Sequence, residues 1–256
     1  MTRFLFYASV LMGACLMQAV HASAVKAEPL RVLTEPYPGY AMQEGDRIIG
    51  AAADQVHAIL ATAKMDYKMQ ILPWARAYAM ATNDRNTCIF ATNHTPERDR
   101  LFKWVEPLGA GEVVLIKKAG SAVNPKTLEE ARDFTVGVQR GDYAVDYLKR
   151  KGFTKLDEAS DFTLTMKKLI SGRVDLATTS SAAFEAEKSK GQALEAVLSM
   201  PAAIYALACS RDVPDRTIAA LQRALNEMIL DGTQDQLYLR YGMPAQNLQE
   251  EIKKTD

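Results

Sequence analysis

Residues 87–107 read TCIFATNHTPERDRLFKWVEP. The first six, Thr87 to Thr92, are β-branched or apolar, the composition of a strand buried inside a sheet. Asn93, His94, Thr95, Glu97 and Arg98 follow at once, so the strand ends in a cluster of polar groups around one arginine. A loop can be polar for solubility alone. What this cluster does depends on where in the fold the strand end lies.

Outward from this stretch, strand-like and helix-like runs alternate. LRVLT (30–34) precedes AAADQVHAILATA (51–63), in which Val56, Ile59, Leu60 and Ala63 take helical spacing. KMQIL (68–72), a helix from about Trp74 to Ala81 and the strand at 87–92 follow, then EVVLIK (112–117). Thr127 and Glu130 form a capping box in NPKTLEEAR. The second half repeats the rhythm: TVGVQ (135–139), a helix YAVDYLKRK closed by Gly152, a short helix before Gly172, and strands VDLATT (174–179) and AIYALACS (203–210). Two helices end the chain; Ile218, Leu221, Leu225 and Met228 share a face of the first, and Gly242 with Pro244 stops the second. This alternation predicts an α/β protein with parallel sheets covered on both faces. Because the pattern occurs twice, two α/β lobes are expected rather than one long sheet.

The chain has 256 residues, 48% apolar and 24% charged, with zero formal net charge, which places it among folded globular proteins. No basic run is present to neutralise phosphates, so no nucleic-acid partner is expected. Arg3, the apolar run FLFYASVLMGACLMQAV and the small triplet Ala22-Ser23-Ala24 read as a secretory signal peptide (1–24) cleaved after Ala24. A lipoprotein signal ending before Cys15 has Met12 where Leu is usual, and a retained anchor falls short of the ~20 apolar residues that span a bilayer. Cleavage removes Arg3 and Cys15 and leaves an exported protein with Cys88 and Cys209. Those two thiols either pair or sit apart as small buried hydrophobes. No metal set and no nucleophile–base pairing stand out, so no cofactor and no catalytic residue are expected.

In this order LRVLTEPYPGYA, RIIGAAADQV, TPERDRLFKWVEP, TVGVQRGDYAVDYL, LISGRVDLATTS and LNEMILDGTQDQLYLRYG resemble the family 3 extracellular solute-binding proteins, periplasmic receptors for amino acids and similar solutes. The resemblance spans nearly all of the mature chain. It implies the type II periplasmic binding protein architecture, in which two α/β lobes joined by two crossing strands hold ligand in the cleft between them. Carried onto this chain, residues 25–112 and 209–256 form lobe one and 113–208 lobe two with the hinge strands at its edges, EVVLIK and AIYALACS being the crossings. The strand bearing Cys209 then runs beside the one bearing Cys88, which implies a disulfide.

The same resemblance puts the end of TCIFAT at the cleft and assigns Arg98 to a ligand carboxylate, its planar fork meeting two oxygens at once. Asn93 and Thr95 are its expected hydrogen-bond partners; a surface pairing of Arg98 with Glu97 or Asp99 is the competing reading. Gly141, Asp142 and Tyr143 are implied at the cleft from the other lobe, where a helix start attracts negative charge. Trp74, Tyr37 and Tyr40 are expected as apolar walls. Two positions depart from the family pattern. Asp142 stands where amino-acid receptors usually carry Thr or Ser, and Ser180 where they carry an acid for the α-amino group. An ionised Asp142 repels a carboxylate unless it turns away to cap its own helix. The expected ligand is therefore a small carboxylate-bearing solute, with any cationic group held by Glu35 or Asp142, passed by a monomeric receptor to an ABC transporter permease. Two rivals share the fold: a periplasmic enzyme resembling cyclohexadienyl dehydratase, and a sensory domain, against which the chain ends at Asp256 without a signalling module.

Overall fold

The computed structural model describes residues 28–253; the expected signal segment and Cys15 lie outside them. The first half gives β1 (Leu30–Thr34), a hairpin of β2 (Met42–Glu44) and β3 (Arg47–Ile49), α1 (Ala51–Thr62), β4 (Tyr67–Ile71), α2 (Trp74–Asn83), β5 (Thr87–Asn93), the single turn α3 (Pro96–Asp99) and the long β6 (Phe102–Lys118). The second half gives α4 (Leu128–Ala131), β7 (Val136–Gln139), α5 (Tyr143–Arg150), β8 (Leu156–Ala159), α6 (Phe162–Ile170), β9 (Leu176–Ser180) and α7 (Ser181–Ser189). The long β10 (Leu194–Ser210), α8 (Asp215–Leu230), α9 (Thr233–Arg240) and α10 (Gln249–Ile252) complete it. No described helix is long and apolar enough to cross a membrane.

One mixed sheet runs through the molecule in the order β4-β1-β5-β10-β6-β9-β7-β8. The pairs β1/β4, β1/β5, β7/β8 and β7/β9 are parallel, as the βαβ rhythm predicts. The pairs β5/β10, β10/β6 and β6/β9 are antiparallel. This corrects the expectation of purely parallel sheets, and the cause is plain. β6 carries the chain out of the first half and β10 carries it back, so the two lie side by side in opposite directions. Each is 17 residues long, roughly 55 Å at ~3.3 Å per residue, enough to serve both lobes.

Each lobe buries its own core on both faces of its part of the sheet. In the first, Leu30, Val32, Ile59, Phe90 and Leu225 pack on one side and Leu33, Trp74, Ile89 and Phe102 on the other. In the second, Val136, Val138, Leu148 and Leu176 lie on one side and Ile116, Phe162, Met166 and Leu169 on the other. Fully burying such a side chain contributes about 1.5–3 kcal/mol, so each lobe has its own cohesion and the seam between them is free to hold something else. Local signals agree with the packing. The helical stripe of α1 is buried at Val56, Ile59 and Leu60, and that of α8 at Leu221, Leu225 and Met228. The Thr127 side chain accepts from Glu130 N at 3.2 Å, closing the expected cap.

Cys88 on β5 stands opposite Cys209 on β10, with Cα atoms 3.9 Å apart, and the two form a disulfide. Both are fully buried, so the bridge sits inside the core of the first lobe. Bridging residues 121 apart removes much conformational freedom from the unfolded chain. Reduction under denaturing titration is expected to lower stability by about 2–4 kcal/mol, read as an earlier urea midpoint. An unchanged midpoint would contradict this.

Candidate functional site

The carboxyl ends of β1, β5, β7 and β9 all point toward the seam between the lobes, the place where open α/β sheets leave room for ligands. A cavity lies there. From the first lobe it takes Glu35, Tyr37 and Tyr40 of the loop after β1, with Ala91 and Asn93 of β5. From the second it takes Gln139, Asp142 and Tyr143 around the start of α5, Phe162 and Thr165 of α6, and Thr178, Thr179 and Ser180 of β9. Val113 of β6 and Tyr205 of β10 close it from the crossing strands. Its volume is about 60 Å³, on a scale where one water needs ~10–15 Å³. The closed molecule therefore has room for a compact solute.

Two carboxyl groups enter this space and no lysine or arginine lines it. Glu35 is pushed from 4.5 up to about 8, first by burial and further by the charges of Asp142 and Asp161, against a hydrogen bond from Gln139 Nε2. At neutral pH it is therefore mostly the uncharged acid. Asp142 is also raised, foremost by burial, and held down by Ala144 N and the charge of Arg98. Its Oδ1 accepts from Ala144 N at 2.7 Å, so it caps α5 and occupies part of the helix start expected to attract an anion. Ser180 is a cap as well. Its Oγ accepts from Ala183 N at 3.1 Å, which opens α7, and its own N–H donates to the Tyr37 hydroxyl at 3.1 Å.

Arg98 is 6% exposed and lies beside the cavity without lining it. Its Nη1 donates to Asn93 O at 3.3 Å and its Nη2 to Gly141 O at 3.0 Å. The guanidinium carbon stands 5.0 Å from the Tyr78 ring centroid and 5.6 Å from that of Trp74. Trp74 is a lobe-one residue that reaches across the seam: its Nε1 donates to the same Gly141 carbonyl at 2.9 Å. Gly141 has φ +73°, a left-handed conformation that glycine adopts without strain. Neither expected surface pairing of Arg98 occurs. Glu97 binds Arg150 at 2.7 Å and Asp99 binds His94 at 3.1 Å, and no carboxylate among the described residues forms an ion pair with Arg98.

The residues singled out from the sequence thus separate into three groups. Glu35, Tyr37, Tyr40, Asn93, Asp142, Tyr143 and Ser180 meet at the cavity. Arg98, Trp74 and Gly141 form the seam contact next to it. Thr95 lies in a separate groove with His94, Tyr147, Arg150 and Met200 to Ile204, where Tyr143 is the shared wall. Sequence reasoning missed Gln139, Phe162, Thr178, Thr179 and Tyr205. Gln139 was visible as the last residue of a strand in a βα unit, but Tyr205 lies mid-strand and only the closeness of β10 to the seam puts it there. Two buried polar atoms at the cavity have no hydrogen-bond partner among the described residues: Asn93 Nδ2 and the Tyr143 hydroxyl. Among the described residues no cluster of His, Cys, Asp or Glu is suited to a metal.

Solved structures with this architecture include the arginine-, lysine-, histidine-binding protein ArtJ of Geobacillus stearothermophilus, with a TM-score of 0.78 at 17% identity over 88% of this chain and 100% of that one. A mutant of ArgBP from T. maritima scores 0.76 at 20% identity, covering 83% and 94%. A histidine kinase sensor domain with similarity to periplasmic binding proteins scores 0.77 at 16% identity, covering 85% and 97%. At these identities the likeness establishes the two-lobed fold alone. No curated protein sequence matches the chain. The family model for bacterial extracellular solute-binding proteins, family 3, matches residues 30–244. The chain belongs to that family.

Proposed function

We propose that this protein is an exported receptor, freed of residues 1–24 in the periplasm, that captures a small solute bearing both a carboxylate and a cationic group and yields it to a membrane transporter. One observation carries the reading: Arg98 is a buried guanidinium at the lobe seam whose hydrogen-bond partners are neutral carbonyls. Asp142 is the nearby opposite charge, but it turns its Oδ1 to Ala144 N and forms no ion pair with Arg98, so the guanidinium at this position favours an arriving carboxylate. When the lobes part, Gly141 leaves with the second lobe and the planar fork becomes free for a carboxylate. Glu35 and Asp142 are then available for the cationic end. Binding energy that exists only when both lobes touch the solute shifts the population toward the closed form.

An enzyme of the same fold is the second reading, because an uncharged Glu35 in a cavity is a proton donor in position. Incubation with prephenate and arogenate separates the two: receptors bind without turnover.

Thermal shift against amino acids, amines and organic acids tests the receptor directly. A carboxylate that raises the melting temperature of wild type is expected to lose at least a hundredfold in affinity with Arg98→Ala, about 3 kcal/mol, the scale of removing one partner of a buried charge pair. Equal binding by both proteins would remove Arg98 from the site. Glu35 gives a second prediction. Folding raises its pKa from 4.5 to about 8, so the folded chain holds a proton that the unfolded chain releases, and stability falls as pH rises through that window. Glu35→Gln keeps an amide in place of the acid and is expected to flatten the fall, measured as unfolding free energy between pH 5 and 8. An unchanged slope would place the titration elsewhere.

A further inference from the structure

The chain has two tryptophans, and their N–H groups serve different ends. Trp104 Nε1 donates to Asp99 O at 3.3 Å, a contact inside the first lobe. Trp74 Nε1 donates to Gly141 O at 2.9 Å, so its bond joins the first lobe to the second. The ring that carries this donor is fixed by the first lobe. Trp74 is 4% exposed and belongs to the core cluster of Leu33, Ala77, Ile89 and Phe102, with the Tyr78 ring at a centroid distance of 5.5 Å. An indole has one donor and no acceptor, and its large apolar body is what the core holds. The N–H is thereby aimed across the seam by packing that lies on one side of it.

The receiving carbonyl is set by the backbone of the second lobe. Gly141 lies in the turn between β7 and α5, where Asp142 N donates to Gln139 O at 3.1 Å, and its φ of +73° would strain a residue with a Cβ. A carbonyl oxygen has two lone pairs, and both donors to Gly141 O come from the first lobe: Trp74 Nε1 and, at 3.0 Å, Arg98 Nη2. The two donors are unequal. Arg98 has further N–H groups, with Nη1 on Asn93 O of its own lobe, and its charge draws it to a carboxylate. Trp74 has one N–H, and Gly141 O accepts it. The indole does not line the cavity, so its bond does not depend on contact with a solute. Tyr37 also bonds across the seam, to Thr179 and Ser180, but its ring is part of the cavity wall.

We propose that Trp74 is the latch of this site: its bond to Gly141 holds the lobes together without a solute and keeps them together while Arg98 exchanges that carbonyl for a carboxylate. The exchange rests on the receptor reading above; closure by the latch alone does not. Trp74 is a positioning residue in this scheme, acting on a solute through the separation of the lobes. Its ring also lies 5.6 Å from the Arg98 guanidinium carbon, so latch and anchor move as one part of the first lobe.

Spin labels at Arg100→Cys and Lys151→Cys, exposed positions beside the Glu97–Arg150 pair on either lobe, report the separation of the lobes. Cys88 and Cys209 are bonded to each other in the core and take no label. The protein is purified from the periplasm, stripped of solute in urea and refolded. Double electron–electron resonance on this labelled protein is expected to give a dominant short distance. Trp74→Phe keeps a ring and removes the donor, and is expected to lower the ratio of short to long distances about fivefold, the scale of one buried hydrogen bond. Trp74→benzothienylalanine, in which sulfur replaces the N–H at nearly the same ring size, is expected to give the same shift and separates the lost bond from lost packing. Trp104→Phe, which loses a bond within one lobe, is expected to leave the distances unchanged. A long distance alone in the protein with Trp74 intact overturns the latch. So does an unchanged distribution in the benzothienylalanine variant. Neither result bears on whether a carboxylate binds, which the thermal-shift panel decides separately.

Discussion

The antiparallel ladder between β6 and β10 is the constraint on which the molecule depends, because these strands supply hydrogen-bonded sheet to both lobes. Their register slips between Met200 and Ala203 and again between Tyr205 and Leu207, opposite Gly109 and Gly111. Extra residues of this kind bend a strand and locally interrupt its pairing, so the ladder is softest where the lobes meet. The glycines there are required by what packs on them. A side chain at Gly109 would overlap the Tyr238 hydroxyl, which donates to Leu108 O at 3.1 Å. A Cβ at Gly111 would come within 3.0 Å of the Tyr205 hydroxyl. The same bare backbone that lets the strands cross lets Tyr205 reach the cavity.

Helical stripes such as Val56-Ile59-Leu60 are visible because burial selects apolar residues at the period of the helix. The disulfide was open from composition alone and needed the order of strands, since only a return strand beside β5 brings Cys209 to Cys88. The first ten residues of β6 and the first half of β10 were not legible as strand. Pro107, Gly109, Gly111 and Pro201 break the β-pattern there, and the pairing is kept by the partner strand, not by local preference. At the start of α7, Ser180 both caps the helix and lines the cavity, and capping chemistry at a serine that ends a strand is readable apart from any family pattern.

Charge at the seam is balanced by arrangement more than by pairing. Arg98 lies between two rings and two carbonyls, while Asp142, close enough to be stabilised by its charge, turns its Oδ1 to Ala144 N. Glu35 avoids a second buried negative charge by holding its proton. The charges at the cavity are thereby close to balanced. A solute with separated positive and negative ends meets it without leaving either lobe with an uncompensated charge, which a singly charged solute of either sign would do.

The contacts that cross the seam also set how hard the solute must work. Gly141 O takes hydrogen bonds from both Trp74 and Arg98, Tyr37 bonds Thr179 and Ser180, Glu35 bonds Gln139 and Glu97 pairs with Arg150. These bonds hold the lobes together with the protein's own groups. The exposed Glu97–Arg150 pair adds little in water, so the buried contacts at Gly141 and Tyr37 carry the closure. A solute gains only its differential affinity for the closed over the open form. The Tyr37 bonds to Thr179 and Ser180 strengthen closure. The bond from Arg98 to Gly141 is different in kind, because a carboxylate that approached the Nη2 side of the guanidinium, as proposed, would compete with that carbonyl. On that proposal the backbone of Gly141 is an internal competitor of the ligand. A neutral carbonyl is a weaker partner for guanidinium than a carboxylate, and the difference between the two sets the net contribution of the anchor to affinity.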